Sequence, residues 1–321
     1  MAALREGALP CGRGALERCP HAGLQVHAPQ PTTDTTAKLM LVALSFCWGL
    51  TWPAMRIGLA EIPPFSMRSV TVGLGAVSLL TVIAVQKRGF ALGGARDWLH
   101  VVVAAMLNIV GFTMLSSFAL LMAATSRVAM LSYTMPIWAS LFAWVALGER
   151  FSGPRIAALV MCASGIAILV YPLAEHGIPA GLLLALATGV SWAAGTVYIK
   201  WARIRGDVVT VAAWQLVVAL VFVVACVPLI EGSFHLSQAH APAIVGTLFT
   251  GLVGSGLAYF LWFKIIGRLP AMTASLGVLS APVIGVLSTA VLLGERPTAP
   301  DIVGFVLIFA ASVCVLLPAR R

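Results

Sequence analysis

Two tryptophans, each followed by a basic residue, are the side chains best suited to bind a small molecule. Trp48 precedes Arg56 by eight residues and Trp192 precedes Lys200 by eight residues, each within an apolar segment. An indole ring can stack on a planar or cationic group. Arg68, in the following apolar segment, could clamp a carboxylate with two parallel hydrogen bonds. These residues predict binding of a small polar or amphipathic molecule, and the arginines favour an anionic one.

Further polar and aromatic side chains inside the apolar segments are candidates for lining the same site. Each alone is more often an interhelical hydrogen-bond partner than a ligand, so both interpretations stay open. The candidates are Asn108, Tyr133, Trp214, Gln215 and Tyr259.

Arg56, Arg68 and Arg127 lie near the predicted ends of apolar segments, where a buried charge is costly. Their side chains either snorkel to the interface or form a positive vestibule for a carboxylate or phosphate. Carboxylates are confined to the tail and to segment edges, so a proton carrier in the middle of the membrane is not predicted. Exchange, facilitated diffusion and coupling through edge groups remain open.

Catalysis, metal binding and nucleic-acid binding are not predicted. Paired carboxylates or a Ser–His pair at one depth of an apolar segment are absent from the sequence, and so is a Cys-x-x-Cys pair. His235 and His240 lack a third ligand for a metal. The net charge of +9 is spread over short loops without a basic, aromatic-rich cluster, which disfavours nucleic acid. We expect no cofactor and no metal.

Composition assigns these candidate residues to a membrane protein. The 321-residue chain is 60% hydrophobic and 10% charged, with a mean hydropathy of +1.00. A soluble domain carries about 25% charged residues. This much apolar side chain needs the lipid bilayer as its solvent. Residues 1–37 are polar and proline-rich and are predicted to be a disordered tail.

Ten apolar segments follow the tail, each close to the roughly 20 residues that cross a bilayer. Backbone groups in lipid must be hydrogen-bonded within each segment, so we predict an all-α polytopic protein with ten transmembrane helices. The segments are 39–59, 65–85, 98–118, 128–147, 154–172, 179–199, 208–230, 242–263, 271–293 and 301–318.

The distribution of basic residues predicts the orientation. With ten segments both termini lie on one side of the membrane. That side would hold all of the 20 lysine and arginine residues except Arg56, Arg68, Arg127 and Arg296. Because positive residues stay in the cytoplasm, both termini are expected there, in the cell (inner) membrane.

The sequence repeats itself with an odd number of crossings between the copies. Residues 136–150 and 282–296 both fit P-x4-L-x3-V-x-L-G-E-R, at an offset of 146 residues. The two Trp–cation pairs are offset by 144 residues. The second copy lies five segments after the first, so the second repeat is inverted relative to the first. We place the repeats at 38–172 and 178–318 and expect a site between them near the middle of the membrane.

Repeat-related prolines and glutamates suggest moving parts. Pro136 and Pro282 each remove a backbone donor within a segment, and so predict either a packing kink or a helix break that lines a cavity. Glu149 and Glu295 follow the fourth and ninth segments. Each is either a loop cap that helps to set topology or half of a gate that closes one side of the membrane. Arg56 and Lys200 are assigned to the same gating or structural group.

The chain resembles the drug/metabolite transporter superfamily, in its EamA-type branch, along residues 38–318. The resemblance depends on Ser45-Phe46-Cys47-Trp48-Gly49 with Arg56, on Arg68, and on the segment-four proline with its following Gly-Glu and their second-half copies. It implies a secondary carrier that moves small metabolites, often outward. Substrates of this family include amino acids, nucleotide-linked sugars and amphiphilic drugs.

Together these features predict a secondary active transporter, an exporter or exchanger of small organic metabolites such as amino acids, which works by alternating access. The cavity is expected between segments one to four and six to nine. Segments five and ten are expected at the periphery, where they could support a homodimer. The alternatives are a channel-like permease and a membrane-embedded enzyme, and the second lacks a catalytic cluster.

Overall fold

The computed structural model describes residues 35–148, 153–172, 179–266, 268 and 280–316. Residues 1–34 of the predicted tail, Glu149 and the first part of the ninth predicted segment lie outside these residues, whereas residues 35–37, predicted as tail, form the start of the first helix. Within them the chain forms ten apolar helices, as the sequence predicted. Seven are long and apolar enough to cross a bilayer, and the other three contain shorter apolar stretches, Ile156–Val170, Ser280–Leu293 and Ala299–Cys314.

The first half contains helices α1 to α5. Two of them are interrupted: α3 contains a π-helical turn at Met106–Gly111, and α4 consists of Thr125–Ser132 and Met135–Leu147. Their bounds are α1 Thr35–Leu59, α2 Pro64–Val85, α3 Ala95–Met122, α4 Thr125–Leu147 and α5 Gly153–Val170.

The second half contains helices α6 to α10. Helix α7 ends in the π-helical turn Val227–Glu231, and α8 is π-helical at Thr250–Leu257, between Ala241–Phe249 and Ala258–Ile266. The bounds are α6 Ala180–Ala202, α7 Val208–Glu231, α8 Ala241–Ile266, α9 Ser280–Leu293 and α10 Ala299–Leu316.

The first helix of each half packs against helices of the other half. Helix α1 packs against α8 and α9 of the second half, while α6 packs against α3 and α4 of the first. Helices α2 and α7 pack on each other, and so do α5 and α10. Because α6 is the fifth helix after α1 and consecutive helices alternate in direction, these two helices run in opposite directions. The packing is that of two inverted five-helix repeats.

Consecutive helices alternate between two faces of the bundle. The face on which α2 and α6 end, called here the basic face, carries Arg88, Arg96, Arg203 and Arg205. The face on which α1 ends and α2 begins is called here the opposite face. Three buried clusters fill the space between these faces, and the largest contains residues of α1 to α6, α8 and α10.

Helix α4 breaks just before its proline. The chain turns at Tyr133 and Thr134, and the second part of α4 begins at Met135, with Pro136 in its first turn. A proline is tolerated at this position because the first backbone N–H groups of a helix have no partner within the helix. The sequence left open whether Pro136 makes a kink or a break, and the structure has a break. Pro282 lies in the first turn of α9 as described.

Candidate functional site

A cavity of about 380 Å³ lies between helices α3, α6, α7 and α8. Small-molecule pockets typically have volumes from about 300 to 1,000 Å³. Five residues that the sequence singled out line this one cavity: Asn108, Trp192, Lys200, Gln215 and Tyr259. The other lining residues are Ile109, Ile199, Arg203, Ile204, Gly206, Val208, Val211, Ala212 and Leu216.

The cavity wall combines aromatic rings with amides and contains no carboxylate among the lining residues. Gln215 is buried, and its Nε2 donates a hydrogen bond to the carbonyl oxygen of Val211 at 3.3 Å, which leaves its Oε1 free to accept another. Asn108 lies on the other side, in α3. Trp192 and Tyr259 supply flat apolar surfaces. Such a wall suits a small molecule with both an apolar part and hydrogen-bonding groups.

Asn108 reaches the cavity from the π-helical turn of α3. In this turn, Ser191 of α6 donates a hydrogen bond from Oγ to the carbonyl oxygen of Leu107, at 2.6 Å. A π-helical turn inserts an extra residue and frees backbone carbonyls, and such turns are frequent at functional sites. This turn could not be predicted from the sequence, because one asparagine and one glycine in an apolar run are compatible with an ordinary α-helix.

A second, wider cavity of about 1000 Å³ lies beside the first, on the basic face. Asp97 of α3 pairs there with Arg205, whose Nε lies 3.2 Å from Oδ2 of the carboxylate. Lys200 and Arg203 line both cavities. The complete lining is Arg96, Asp97, Ala146, Leu147, Lys200, Trp201, Ala202, Arg203 and Arg205.

The other four predicted binding residues lie elsewhere in the bundle: Trp48, Tyr133, Trp214 and Arg68. Trp48 packs against Trp262 of α8 at a centroid distance of 6.0 Å. Tyr133 lies at the break of α4, where Trp52 packs edge-on against it and donates a 3.5 Å hydrogen bond to its hydroxyl. Trp214 lies at the outer junction of α3 and α7.

The indole of Trp214 holds a loop and does not line either of the two cavities. Its Nε1 donates a 3.0 Å hydrogen bond to the carbonyl oxygen of Phe90, between α2 and α3. The ring also packs edge-on against Trp98, at 4.8 Å between centroids. This placement gives Trp214 a structural contact that the sequence analysis did not foresee.

Arg68 is buried among uncharged groups. Its Nε donates to Ser117 Oγ at 2.7 Å, and its Nη2 lies 3.1 Å from Ser116 Oγ and 3.2 Å from Met55 Sδ. Only 3% of the residue is exposed, and within the described ranges no carboxylate lies at ion-pairing distance from it. Arg68 therefore does not snorkel. It contacts α3 two helical turns, about 12 Å, beyond Asn108.

The other two arginines near the opposite face have partners inside the protein. Arg56 donates from Nη1 to the carbonyl oxygen of Leu120. Arg127 of α4 forms a bidentate pair with Asp301 of α10, at 2.8 and 3.1 Å. A fork-to-fork pair of this kind fixes geometry as well as charge. The pair joins the two halves, a role that neither interpretation of Arg127 from the sequence included.

Glu295 crosses between the halves to cap helix α4. Its carboxylate accepts the backbone N–H groups of Thr125 and Ser126, at 2.7 and 2.8 Å. The turn that places it there depends on Gly294, which has a φ of +68°, a conformation that side-chain-bearing residues rarely adopt. Burial raises the pKa of Glu295, but the hydrogen bonds from Ser126 and Thr125 outweigh burial, and the net pKa is lower than that of an ordinary glutamate.

A second carboxylate of the α6–α10 half caps helix α2 in the same way. Glu231, at the end of α7, accepts the backbone N–H groups of Phe65 and Ser66 at 2.7 and 2.9 Å, and the Ser66 hydroxyl at 2.6 Å. An ionised carboxylate at a helix N-terminus is stabilised by the partial positive charge there. The sequence identified Glu231 only as an edge carboxylate, because a cap supplied by a distant helix leaves no local pattern.

The halves are also joined at the basic face, by more exposed contacts. Arg88, after α2, pairs with Asp207, before α7, at 2.7 Å, and each side chain is 37% exposed. Asp207 also caps α7 by accepting from the backbone N–H groups of Val209 and Thr210. Each face thus has its own set of contacts between the halves. Glu149, the predicted counterpart of Glu295, lies outside the described residues.

Comparison with known proteins agrees with this architecture. The model of the EamA-like transporter family matches residues 35–171 and 179–317. The chain is 29% identical to "Uncharacterized transporter YvbV" of Bacillus subtilis, over 88% of this chain and 92% of that protein. It is 26% identical to a "Probable amino-acid metabolite efflux pump" of Salmonella typhimurium, over 82% and 89%.

A solved crystal structure has the same fold. It is similar with a TM-score of 0.60 at 22% identity, and the match covers 87% of this chain and 96% of that one. The family is one of transporters, so the protein is a multi-pass membrane transporter and not an enzyme. The ten helices, the exchanged packing of the halves and the match along both repeats lead to one conclusion: the chain belongs to the EamA-like transporter family, within the drug/metabolite transporter superfamily.

Proposed function

We propose that this transporter is a secondary carrier that exports or exchanges small organic metabolites, amino acids or close relatives of them, by alternating access. The observation that carries the proposal is the cavity between α3, α6, α7 and α8. It gathers Asn108, Trp192, Gln215 and Tyr259 from both halves of the protein. Two amides, an indole and a phenol match the polar backbone and the apolar side chain of an amino acid.

The relatives support the substrate class. The Salmonella typhimurium protein carries the printed name "Probable amino-acid metabolite efflux pump", and it matches most of this chain. The cavity volume of about 380 Å³ is suited to one small metabolite.

Contacts between the halves favour a carrier over a channel. On the opposite face, Glu231 and Glu295 cap helices of the other half, and Arg127 pairs with Asp301. On the basic face, Arg88 pairs with Asp207. A rocking motion would exchange one set of contacts for another, whereas a channel needs both faces open together. Glu295 acts in this proposal as a gate residue, and Glu149 is its proposed counterpart at the other face.

The proposed path leads from the basic face, which we place in the cytoplasm, to the opposite face. Arg68 lies about 12 Å further along α3 than Asn108 and would meet an anionic group when the opposite face opens. Trp48 and Tyr133 belong to the α1 side of this path. Arg56 and Lys200, near the ends of α1 and α6, and Pro136 and Pro282 complete the proposed gating group.

Counterflow in proteoliposomes tests the proposal. Vesicles containing the purified full-length protein are loaded with a mixture of the twenty amino acids, and exchange against external isotope-labelled amino acids is followed by mass spectrometry. We expect a small subset to exchange, faster when the same compound is present on the other side, because a carrier returns loaded faster than it returns empty. Protein-free vesicles are the control.

Two results would contradict the proposal. If none of the amino acids exchanged, the proposal that they are substrates would be wrong. Flux that does not respond to substrate on the far side of the membrane would indicate a channel-like permease.

A further inference from the structure

Arg203 stands at the junction of the two cavities. It follows the last residue of α6, and its side chain lines both the wide cavity on the basic face and the cavity that contains Asn108 and Gln215. A molecule that passes from the first cavity into the second therefore passes close to Arg203 and to Lys200, which also lines both cavities. The sequence analysis had counted Arg203 only among the basic residues that set the orientation.

The backbone of Arg203 is held in an unfavourable conformation. Its φ of +49° and ψ of +48° are left-handed, at a helix C-terminus where glycine is usually found. Among the described residues, Lys87 is the other non-glycine with positive φ, at +52°. Glycine would relieve the strain at either position. A strained residue at the mouth of a cavity is a reason to look for a function of its side chain.

The local charges make the mouth of the cavity positive. Arg205 is paired with Asp97. In the described parts of the chain, Arg96 and Arg203 have no carboxylate within ion-pairing distance. Lys200, like Arg203, lines both cavities, and the rest of the inner cavity is lined by amides, aromatic rings and apolar groups. A negative group would be attracted to the mouth and would find uncharged hydrogen-bonding groups farther in.

We propose that Arg203 binds the acidic group of the substrate at the cavity mouth, and that the transported metabolites are those with a carboxylate attached to an apolar or planar body. This inference rests on the proposed function and narrows its substrate class. The planar guanidinium can donate two parallel hydrogen bonds to a carboxylate, which an ammonium group cannot do with the same geometry. Arg203 is then a specificity-determining residue, placed before the aromatic walls of Trp192 and Tyr259.

Lys87 provides a matched control. Like Arg203, it is a basic residue on the basic face, just after a helix, with a left-handed backbone. It lines neither of the two cavities. Arg203→Gly and Lys87→Gly therefore remove the same charge and relieve the same kind of strain. They differ in whether the charge faces the proposed path.

The first test measures the charge that a small molecule meets in the inner cavity. Ala212, which lines that cavity, is replaced by cysteine in the full-length protein. Labelling of Cys at this position by an anionic (2-sulfonatoethyl) and a cationic (2-trimethylammonioethyl) methanethiosulfonate is quantified by peptide mass spectrometry. We expect the anionic reagent to react faster. Arg203→Gly should lower the ratio of the two rates by about two- to fivefold, the effect of one charge at about 10 Å in water. Lys87→Gly should leave the ratio unchanged.

The second test measures recognition of a carboxylate. Benzoate and benzamide have the same shape, and only benzoate is charged. At equal millimolar concentrations, benzoate should raise the melting temperature of the purified protein more than benzamide does. This difference should disappear in Arg203→Gly, shrink in Arg203→Lys, and persist in Lys87→Gly. Because a lysine keeps the charge, Arg203→Lys should retain the labelling ratio of the first test.

The outcomes separate this inference from the proposed function. Equal responses to benzoate and benzamide in the unmodified protein, or equal effects of Arg203→Gly and Lys87→Gly in either test, would overturn the role of Arg203. Neither test uses transport. A protein that exchanges amino acids but fails these tests refutes the inference alone, and one that passes them without exchanging amino acids refutes the proposed function alone.

Discussion

At the scale of single residues, carboxylates supplied from a distance connect the halves of this transporter. Glu295 caps α4 and Glu231 caps α2, and each accepts two backbone N–H groups of a helix in the other half. The first N–H groups of a helix have no intrahelical partner, so such a cap is stabilising while the two ends are in contact and is lost when they separate. Together with the Arg127–Asp301 ion pair, these two caps connect the halves on the opposite face.

Glu295→Gln should weaken the cap on α4. A neutral amide still accepts a hydrogen bond but loses the attraction to the helix dipole, so we expect a loss of about 1 kcal/mol in stability. Melting temperature in one detergent measures the loss, and Glu61→Gln gives the comparison with a more exposed carboxylate on the same face that accepts the backbone N–H of His240. Equal melting temperatures for Glu295→Gln and the unmodified protein would show that the cap is not stabilising.

Acid should remove the same contribution. The pKa of Glu295 is lowered in the folded protein, so its stabilisation is complete above the ordinary glutamate pKa of 4.5 and is lost as the pH falls through the lower folded-state value. The difference in melting temperature between the unmodified protein and Glu295→Gln should therefore be constant from pH 7 to about pH 5 and shrink below the ordinary glutamate pKa. If this difference in melting temperature grew as the pH fell, it would contradict a lowered pKa of Glu295.

Two tryptophans predicted to bind substrate now have distinguishable roles. Trp192 lines the cavity, whereas Trp214 is hydrogen-bonded to the Phe90 carbonyl oxygen. We expect Trp192→Ala to lower the exchange rate at least tenfold through a higher KM, since loss of one aromatic wall removes about 1.5–3 kcal/mol of apolar contact. Trp214→Ala should lower the melting temperature and leave KM within about twofold. If Trp214→Ala raised KM and Trp192→Ala did not, Trp214 rather than Trp192 would bind the substrate.

At the scale of secondary structure, the two repeats have irregular helices at equivalent positions. The π-helical turn at Met106–Gly111 of α3 corresponds, at the 144-residue offset of the Trp–cation pairs, to the start of the π-helical turn Thr250–Leu257 of α8. Both helices line the cavity, through Asn108 and Tyr259. Substrate sites of inverted-repeat carriers are typically formed by irregular helices of this kind, so the two π-helical turns support the proposed binding site.

Helices α5 and α10 meet through two glycines. A Cβ atom on Gly165 would lie 2.8 Å from the carbonyl oxygen of Gly304, and a Cβ on Gly304 would lie equally close to that of Gly165. Small residues at such crossings allow membrane helices to approach closely. We expect Gly165→Ala to separate the pair and cost about 1–3 kcal/mol of stability.

The control for this substitution lies on the same helix. A Cβ on Gly153 would meet no atom within 4 Å, so Gly153→Ala should change stability by about 0.5 kcal/mol or less. Melting temperatures of the two variants in one detergent test this expectation, and Gly165→Ala should have the lower value. Identical values would mean that the α5–α10 contact tolerates a methyl group. The homodimer that α5 and α10 were expected to support remains a prediction.

At the scale of the whole molecule, neither half is complete alone. Helix α1 packs against α8 and α9, and α6 against α3 and α4, so each half supplies a helix to the other. The cavity takes Asn108 from the first half and Trp192, Gln215 and Tyr259 from the second. Binding in such a shared site would be coupled to the arrangement of the halves, as the proposed alternating access requires.

Reporter fusions test the orientation of the whole molecule. Because basic residues are retained in the cytoplasm, fluorescent reporters at both termini should be active there, and a reporter inserted in the loop 232–240 should be exported. Periplasmic activity at either terminus would invert or break the proposed topology. The inserted reporter is the internal control, since it lies on the opposite face.

The sequence by itself determined the class of this protein. Apolar segments of membrane-spanning length, the P-x4-L-x3-V-x-L-G-E-R repeat and the Trp–cation pairs are local or periodic, and these predicted ten helices, the inverted repeat and the family. They also identified Asn108, Trp192, Gln215 and Tyr259, because polar and aromatic side chains are conspicuous in apolar segments. Only the tertiary structure decided that these four share one cavity, while Trp214 supports a loop and Arg68 lies deeper.

The same limit applies to the contacts between helices. Three contacts join residues that are more than a hundred positions apart in the chain: the cap of α2 by Glu231, the cap of α4 by Glu295, and the ion pair of Arg127 with Asp301. Hydrophobic pattern fixes which segments enter the membrane, because that depends on each segment's own free energy of transfer. Which helices then meet depends on shape and on pairing of polar groups across the whole bundle, and no segment carries that information alone.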